Sequence, residues 1–205
     1  MEEIFENVFL DEKSKKLYTK YENSYREWNP YRSKLAAAII KGLKIMPIKQ
    51  GSKILYLGAS TGTTCSHISD IIGKNGIVYG IEFSERVIYQ FLELAEKRKN
   101  IVPILADARK PEEYYWVEIV DVVYCDLAQP DEIEIAIRNS NIFLKKNGYL
   151  MIAIKARSID VTKEPKEIFE ESKEKLKNSG FEIKEVIILE PYEEGHAMVI
   201  SQKIS

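Results

Sequence analysis

The 205-residue sequence has only two cysteines, Cys65 and Cys125, and two histidines, His67 and His196. The cysteines lie far apart without a CxxC spacing, so neither a disulfide framework nor a metal site is expected, and a reducing, cytoplasmic setting fits. No apolar run approaches the roughly 18 residues of a membrane span. Met1-Glu2-Glu3-Ile4 is acidic and opens no signal-peptide pattern. Internal repeats, low-complexity tracts and a GxGxxG turn are all missing. Positive charge is not in excess either. The formal net charge is −2, which does not suggest a strong general binder of nucleic acid. Residues 1–50 carry ten Lys/Arg against seven Asp/Glu, and residues 51–205 carry twenty against twenty-five. Any RNA contact is therefore expected to be local, or shared with a cationic partner.

What is present is a core-forming composition, 45% hydrophobic and 30% charged, which excludes disorder over most of the chain. From about residue 52, β-rich apolar runs alternate with amphipathic stretches. The runs are Lys53–Leu57, Gly76–Ile81, Ile101–Leu105, Val120–Cys125, Gly148–Ile154, Phe181–Leu189 and Ala197–Gln202. Helices are predicted over Thr64–Ile72, Glu85–Lys97, Glu132–Leu144 and Pro165–Asn178, with an irregular piece near Pro111–Val117. Alternation of this kind implies parallel pairing through crossovers. The last two runs, joined by the turn-rich Glu190–Gly195 link, read as an antiparallel pair. The expected architecture is an α/β domain over residues 51–205, with a mostly parallel seven-stranded sheet closed by an antiparallel hairpin. Residues 1–50 read as a small extension: a hairpin from Ile4–Leu10 and Leu17-Tyr18, an aromatic-rich connection, and a covering helix over Tyr31–Leu43.

Chemistry-bearing residues gather at the predicted strand ends, where open α/β sheets bind ligands. The strand Ile54–Leu57 runs into Gly58-Ala59-Ser60-Thr61-Gly62-Thr63-Thr64, a glycine-rich turn opening a helix. Such a turn brings backbone N–H groups and a helix N-terminus to a ligand. It serves equally as a plain strand–helix turn. Glu82 ends the next strand, where a carboxylate can accept hydrogen bonds from both ribose hydroxyls of an adenosine, and Phe83 can stack on its base. Glu82 also suits the start of the helix that follows. Asp107, followed by Ala108, can accept from an adenine amine or simply close a turn. Asp126-Leu127-Ala128-Gln129-Pro130 follows the strand Val120–Cys125. Four coincident placements favour a nucleoside-type ligand over four separate turns.

Five stretches together resemble the archaeal fibrillarin family. They are Trp28-Asn29-Pro30-Tyr31-Arg32-Ser33-Lys34-Leu35-Ala36-Ala37, Tyr56 to Thr64, Asp126 to Pro130, Ile152-Ala153-Ile154-Lys155-Ala156-Arg157-Ser158-Ile159-Asp160, and His196-Ala197-Met198. They occur in family order. The resemblance implies a Rossmann-like class I S-adenosylmethionine methyltransferase that methylates ribose 2′-hydroxyls of rRNA and tRNA. It implies a cofactor site made by Gly58, Ala59, Gly62, Thr63, Thr64, Glu82, Phe83, Asp107, Ala108, Asp126, Leu127, Ala128 and Gln129. It implies a catalytic set of Lys34, Asp126, Lys155 and His196. It also implies the family's partners: a C/D box guide RNA, a Nop-type scaffold protein and a small kink-turn-binding protein.

A ribose hydroxyl is a weak nucleophile, so the enzyme must align it and ease loss of its proton. Lys155 is expected to contact the 2′-oxygen, Asp126 to orient Lys155, Lys34 to hold phosphate or sugar oxygen, and His196 to relay a proton or position the sugar. Arg32, Lys34, Lys155 and Arg157 form a candidate RNA-holding rim. The proton acceptor stays open among Lys155, His196 and water. Rival readings are a small-molecule or protein methyltransferase on the same scaffold, a cofactor-binding subunit without catalysis, and a nicotinamide oxidoreductase. The missing GxGxxG weighs against the last.

Overall fold

Three runs of the sequence are apolar on both faces, and both faces are covered. In the computed structural model, which describes residues 1–204, these runs are strands at the middle of a seven-stranded sheet. They are β5 (Lys53–Leu57), β8 (Val120–Cys125) and β9 (Leu144–Lys155). β6 (Ile77–Glu82) and β7 (Ile101–Leu105) continue the sheet on one side, and β11 (His196–Lys203) and β10 (Phe181–Ile188) on the other. The order is β10-β11-β9-β8-β5-β6-β7. Strands β5 to β9 pair in parallel, and β11 is antiparallel to both β9 and β10. From β5 the chain winds outward to β7, then returns to β8 and winds the other way. The reversal falls between β5 and β8, the place where such sheets hold ligands.

The helices are α1 (Lys34–Ile40), α2 (Thr63–Ile72), α3 (Glu85–Lys97), α4 (Glu132–Phe143), the one-turn α5 (Ala156–Ile159) and α6 (Pro165–Asn178). α6 starts with Pro165 at its first position behind a Glu164–Glu167 capping box. α1 is shorter than the expected span. Ser33 caps it, accepting a hydrogen bond from the Ala36 N–H at 3.4 Å, and Gly42 at φ +97° lies just beyond its end. β9 starts earlier than expected because Leu144 already pairs with Val120, despite the polar Lys145-Lys146-Asn147 that follows. No described helix is long and apolar enough to cross a membrane.

The first fifty residues differ most from expectation. In place of one hairpin and an aromatic connection there is a four-stranded antiparallel meander: β1 (Glu2–Phe5), β2 (Val8–Asp11), β3 (Lys16–Tyr21) and β4 (Ser24–Trp28). Its inward face carries Val8, Leu17 and Trp28, all fully buried in one cluster with Leu35, Ile54, Tyr56 and Ile68. The same face carries Thr19 and Arg26, polar residues that break the apolar alternation and hide the strands from the sequence pattern. They point inward because α2 presents polar partners. The Thr19 hydroxyl donates to Asp70 at 2.6 Å, Arg26 pairs with Asp70, and Arg98 reaches the same carboxylate from beyond α3. Because the Thr19 proton goes to Asp70, the 2.7 Å contact with His67 must run from His67 Nδ1–H to Thr19 Oγ1. Burial, then the charges of Arg26 and Arg98, pull the His67 pKa down to about 3, and the neutral ring stacks on Trp28 at 4.9 Å.

Candidate active site

Gly58 follows β5 directly, with φ +82°. The N–H groups of Gly58 and Ala59 both donate to the Ile81 carbonyl at 3.0 Å, which draws the turn onto β6. A Cβ on Gly58 would lie 2.4 Å from the Asp126 carbonyl oxygen, so conformation and space both demand glycine. Gly62, at φ +84°, is needed for a different reason. A Cβ there would meet Phe91 at 2.5 Å, so its absence lets α2 start against α3.

Between the strand ends lies a crevice of about 420 Å³, walled by Gly58, Ser60, Glu82, Phe83, Asp107, Ala108 and the segment Asp126 to Gln129. Glu82 is 7% exposed. Its carboxylate accepts from the Ser60 N–H at 2.8 Å and the Ser84 N–H at 2.9 Å. Glu82 therefore steadies the start of α3 and still has acceptor capacity toward the crevice. Phe83 stands exposed beside it, a flat apolar wall. The Asp107 carboxylate closes its own turn, accepting from the Arg109 N–H at 3.0 Å and from the guanidinium, and these bonds hold its pKa below the usual carboxylate range. Gln129 Oε1 is buried with no protein partner. An orphaned acceptor in a crevice wall calls for a donor on whatever fills the crevice.

A second group adjoins the first through Asp126, whose N–H is tied to the Leu57 carbonyl at 3.0 Å. Lys34, the first residue of α1, forms an ion pair with Asp126 Oδ1 at 2.9 Å. Burial opposes the Lys34 charge, but the Asp126 carboxylate more than compensates and holds its pKa above the ordinary lysine value. Lys34 is thus a fixed cation. Lys155 ends β9 and His196 opens β11, and the two are direct partners across that antiparallel pair, so their side chains emerge on one face. His196 is buried. Burial lowers its pKa, and the Lys34 and Lys155 charges add to the effect. Its Nδ1 lies 2.8 Å from the Glu194 carbonyl, which can only accept. Nδ1 therefore carries the hydrogen, and Nε2 of the neutral ring keeps its lone pair. Arg32 and Arg157 are exposed, Arg32 just before α1 and Arg157 on α5.

The model of the Fibrillarin family matches residues 6–205. The chain belongs to the fibrillarin family. A relative from Saccharolobus islandicus named fibrillarin-like rRNA/tRNA 2′-O-methyltransferase is 59% identical over 185 residues, covering 89% of this chain and 80% of its own. Aeropyrum pernix fibrillarin, solved with natively bound S-adenosyl-L-methionine, is similar with a TM-score of 0.83 and 48% identity, over 91% of this chain and 88% of its own. A fibrillarin solved in complex with Nop5p gives a TM-score of 0.92 and 40% identity, over 99% and 100% of the two chains.

In this fibrillarin-family chain, Lys34, Asp126, Lys155 and His196 are gathered at one place. The direct ion-pair partner of Asp126 is Lys34, where strand order alone pointed to Lys155. Ala59, Gly62, Thr63 and Thr64 do not wall the crevice. Ala59 is buried, and the Thr64 hydroxyl donates to Ser33 Oγ at 3.0 Å, joining α2 to the start of α1. Sequence reasoning did not single out Ser60, Glu132 or Glu193. Ser60 lies inside the glycine-rich turn and was readable from place alone. Glu193, 4.0 Å from His196, sits in a link that reads as turn. Glu132 reads as an ordinary acid in a helix's first turn.

Proposed function

We propose that this chain transfers a methyl group from S-adenosylmethionine to ribose 2′-hydroxyls of rRNA and tRNA, at nucleotides chosen by a C/D box guide RNA. The observation that carries the reading is the Lys34–Asp126 pair beside Lys155 and His196, at the edge of a nucleoside-sized crevice. The relatives' names supply the substrate and cofactor classes, and a relative bound to Nop5p supports a Nop-type scaffold as partner. A kink-turn-binding protein completes the particle in this reading, and the cytoplasm is its setting.

The crevice residues fit the cofactor. Glu82 would accept from the ribose hydroxyls, Phe83 would stack on the adenine, Asp107 would accept from its amine, and Gln129 Oε1 would gain the donor it lacks. When bound, S-adenosylmethionine supplies a methyl group activated on a sulfonium. The chain does the rest. Asp126 anchors Lys34, which as a fixed cation holds sugar or phosphate oxygen. Lys155 stabilises negative charge as it develops on the 2′-oxygen. His196 Nε2, neutral and aligned by Glu194, would accept the proton of the 2′-hydroxyl. Arg32 and Arg157 hold the flanking RNA backbone.

The test is reconstitution with a Nop-type scaffold, a kink-turn-binding protein and a C/D guide RNA, followed by mapping of 2′-O-methyl positions. Methylation at the guide-paired nucleotide is expected. Transfer to a small molecule or protein without RNA, assembly without any transfer, or binding of NAD in place of S-adenosylmethionine would each overturn the reading. Gly58→Ala checks the crevice separately. An added Cβ pushes on the Asp126 carbonyl at a backbone angle that side chains avoid. We expect S-adenosylmethionine affinity to fall by about tenfold or more in calorimetry, about 1.4 kcal/mol, because the Asp126 segment that the Cβ displaces walls the crevice. Unchanged affinity would mean that this wall does not touch the cofactor.

A further inference from the structure

Glu132 is the first residue of α4 and is 0% exposed. Its Oε1 accepts the Lys155 backbone N–H at 3.3 Å, and its Oε2 is buried without any partner. The contact lies at the point where β9 gives way to α5. No cation forms a salt bridge with Glu132 among the described residues. A carboxyl group so placed is expensive to keep, and an apolar residue would pack there at less cost. Its position gives a reason to keep it: α4 follows the Asp126 segment directly, so Glu132 links the strand end that carries Asp126 to the strand end that carries Lys155.

We propose that Glu132 is a positioning residue, fixing Lys155 against Asp126 through the Lys155 backbone N–H. This rests on the methyl-transfer reading above. The charge state matters as well. Burial raises the Glu132 pKa to about 9; Asp126 adds to the rise, while the Lys155 N–H and Lys34 oppose it. The charged and titratable groups around it are Asp126 and Lys34 at the site, Glu134 on its own helix, and Cys125, whose thiol contacts the Glu132 carbonyl. At neutral pH Glu132 holds its proton. A protonated Glu132 adds no further negative charge beside Asp126 and Glu193, so Lys34 and Lys155 stay available to an oxygen that is losing its proton. Ionised Glu132 would offset part of their charge.

Two variants test the proposal in the reconstituted particle. Glu132→Gln keeps the shape and the acceptor but cannot ionise. It should keep kcat within about threefold of wild type at neutral pH, and its rate should persist above pH 9, where the wild-type rate falls as Glu132 loses its proton. Glu132→Ala should lower kcat by about tenfold or more while S-adenosylmethionine affinity stays within about threefold in calorimetry. A Gln variant as impaired as the Ala variant, or one whose alkaline limb matches wild type, overturns the proposal. So does an Ala variant with normal kcat, or one that loses kcat and cofactor affinity together. If Glu132→Ala does not fold, the Gln variant decides alone. Thermal unfolding gives a readout free of activity. A folded pKa near 9 against an ordinary 4.5 means that the Glu132 contribution is full below pH 4.5 and is lost as pH rises toward 9. The Tm advantage of Glu132→Gln over wild type should therefore grow from pH 5 to pH 9; a flat difference would show that Glu132 is ionised throughout. A wild-type particle that transfers no methyl group would instead reject the functional reading and leave this unfolding result standing.

Discussion

Lys155→Ala reduces methyl transfer by about three orders of magnitude while leaving S-adenosylmethionine binding within a few-fold of wild type. The expectation follows from placement. Lys155 is absent from the crevice wall and sits instead across from His196, on the side where an acceptor hydroxyl must enter. Alanine removes the charge that meets the forming alkoxide and leaves the cofactor walls untouched. Asp126→Ala has a different signature. It strips Lys34 of its 2.9 Å partner and alters the crevice wall as well, so both kcat and cofactor affinity should fall. The double variant should be little worse than the poorer single, because the residues act as one unit. Single-turnover transfer in reconstituted particles, with cofactor affinity by calorimetry, separates the cases. Near-normal turnover in both single variants would reject the assignment of this centre.

The parts legible in the sequence share a physical cause. β5, β7 and β8 emerge from their runs with unchanged bounds because local apolar density decides a buried strand. α3 and α6 do so because amphipathic period and, for α6, Pro165 at its start are local signals. The meander escaped because Thr19 and Arg26 face inward, and their reason for doing so lies on α2 and beyond α3. The Lys34–Asp126 pair is equally non-local: the start of α1 and the end of β8 are far apart in sequence and are brought together only by the fold. Strand-end position was enough to nominate Glu82, Asp107 and Asp126, since the fold class itself brings those ends together. Glu132 had no such signal. Its burial and its bond to the Lys155 N–H depend on how α4 leaves β8, which spacing does not encode.

The same inward-facing polar residues set the largest expected loss of stability, at Asp70. Its side chain has no exposure and accepts from Thr19 on β3, Arg26 on β4 and Arg98 beyond α3, while its backbone carbonyl accepts from Asn7 at 2.6 Å. One carboxylate thus ties the meander, α2 and the approach to β7. Asp70→Ala strands Arg98, only 6% exposed, without a counter-charge, and leaves the Thr19 hydroxyl without its acceptor. Breaking a buried pair by removing one partner costs about 3–5 kcal/mol, a large share of the roughly 5–15 kcal/mol that holds a domain folded. For a chain of this size that corresponds to a fall in Tm of about 6–20 °C. Asp70→Asn, which keeps the shape and an acceptor, should fall between the two. Replacing both partners, in Asp70→Ala with Arg98→Met, should recover part of the loss, because the stranded charge and not the missing attraction is the greater penalty. S-adenosylmethionine affinity well below the Tm should stay near wild type, since Asp70 is not among the crevice walls. A Tm for Asp70→Ala within about 2 °C of wild type would mean that water or a rearranged Arg26 replaces the carboxylate, and that the meander is held by Val8, Leu17 and Trp28 alone.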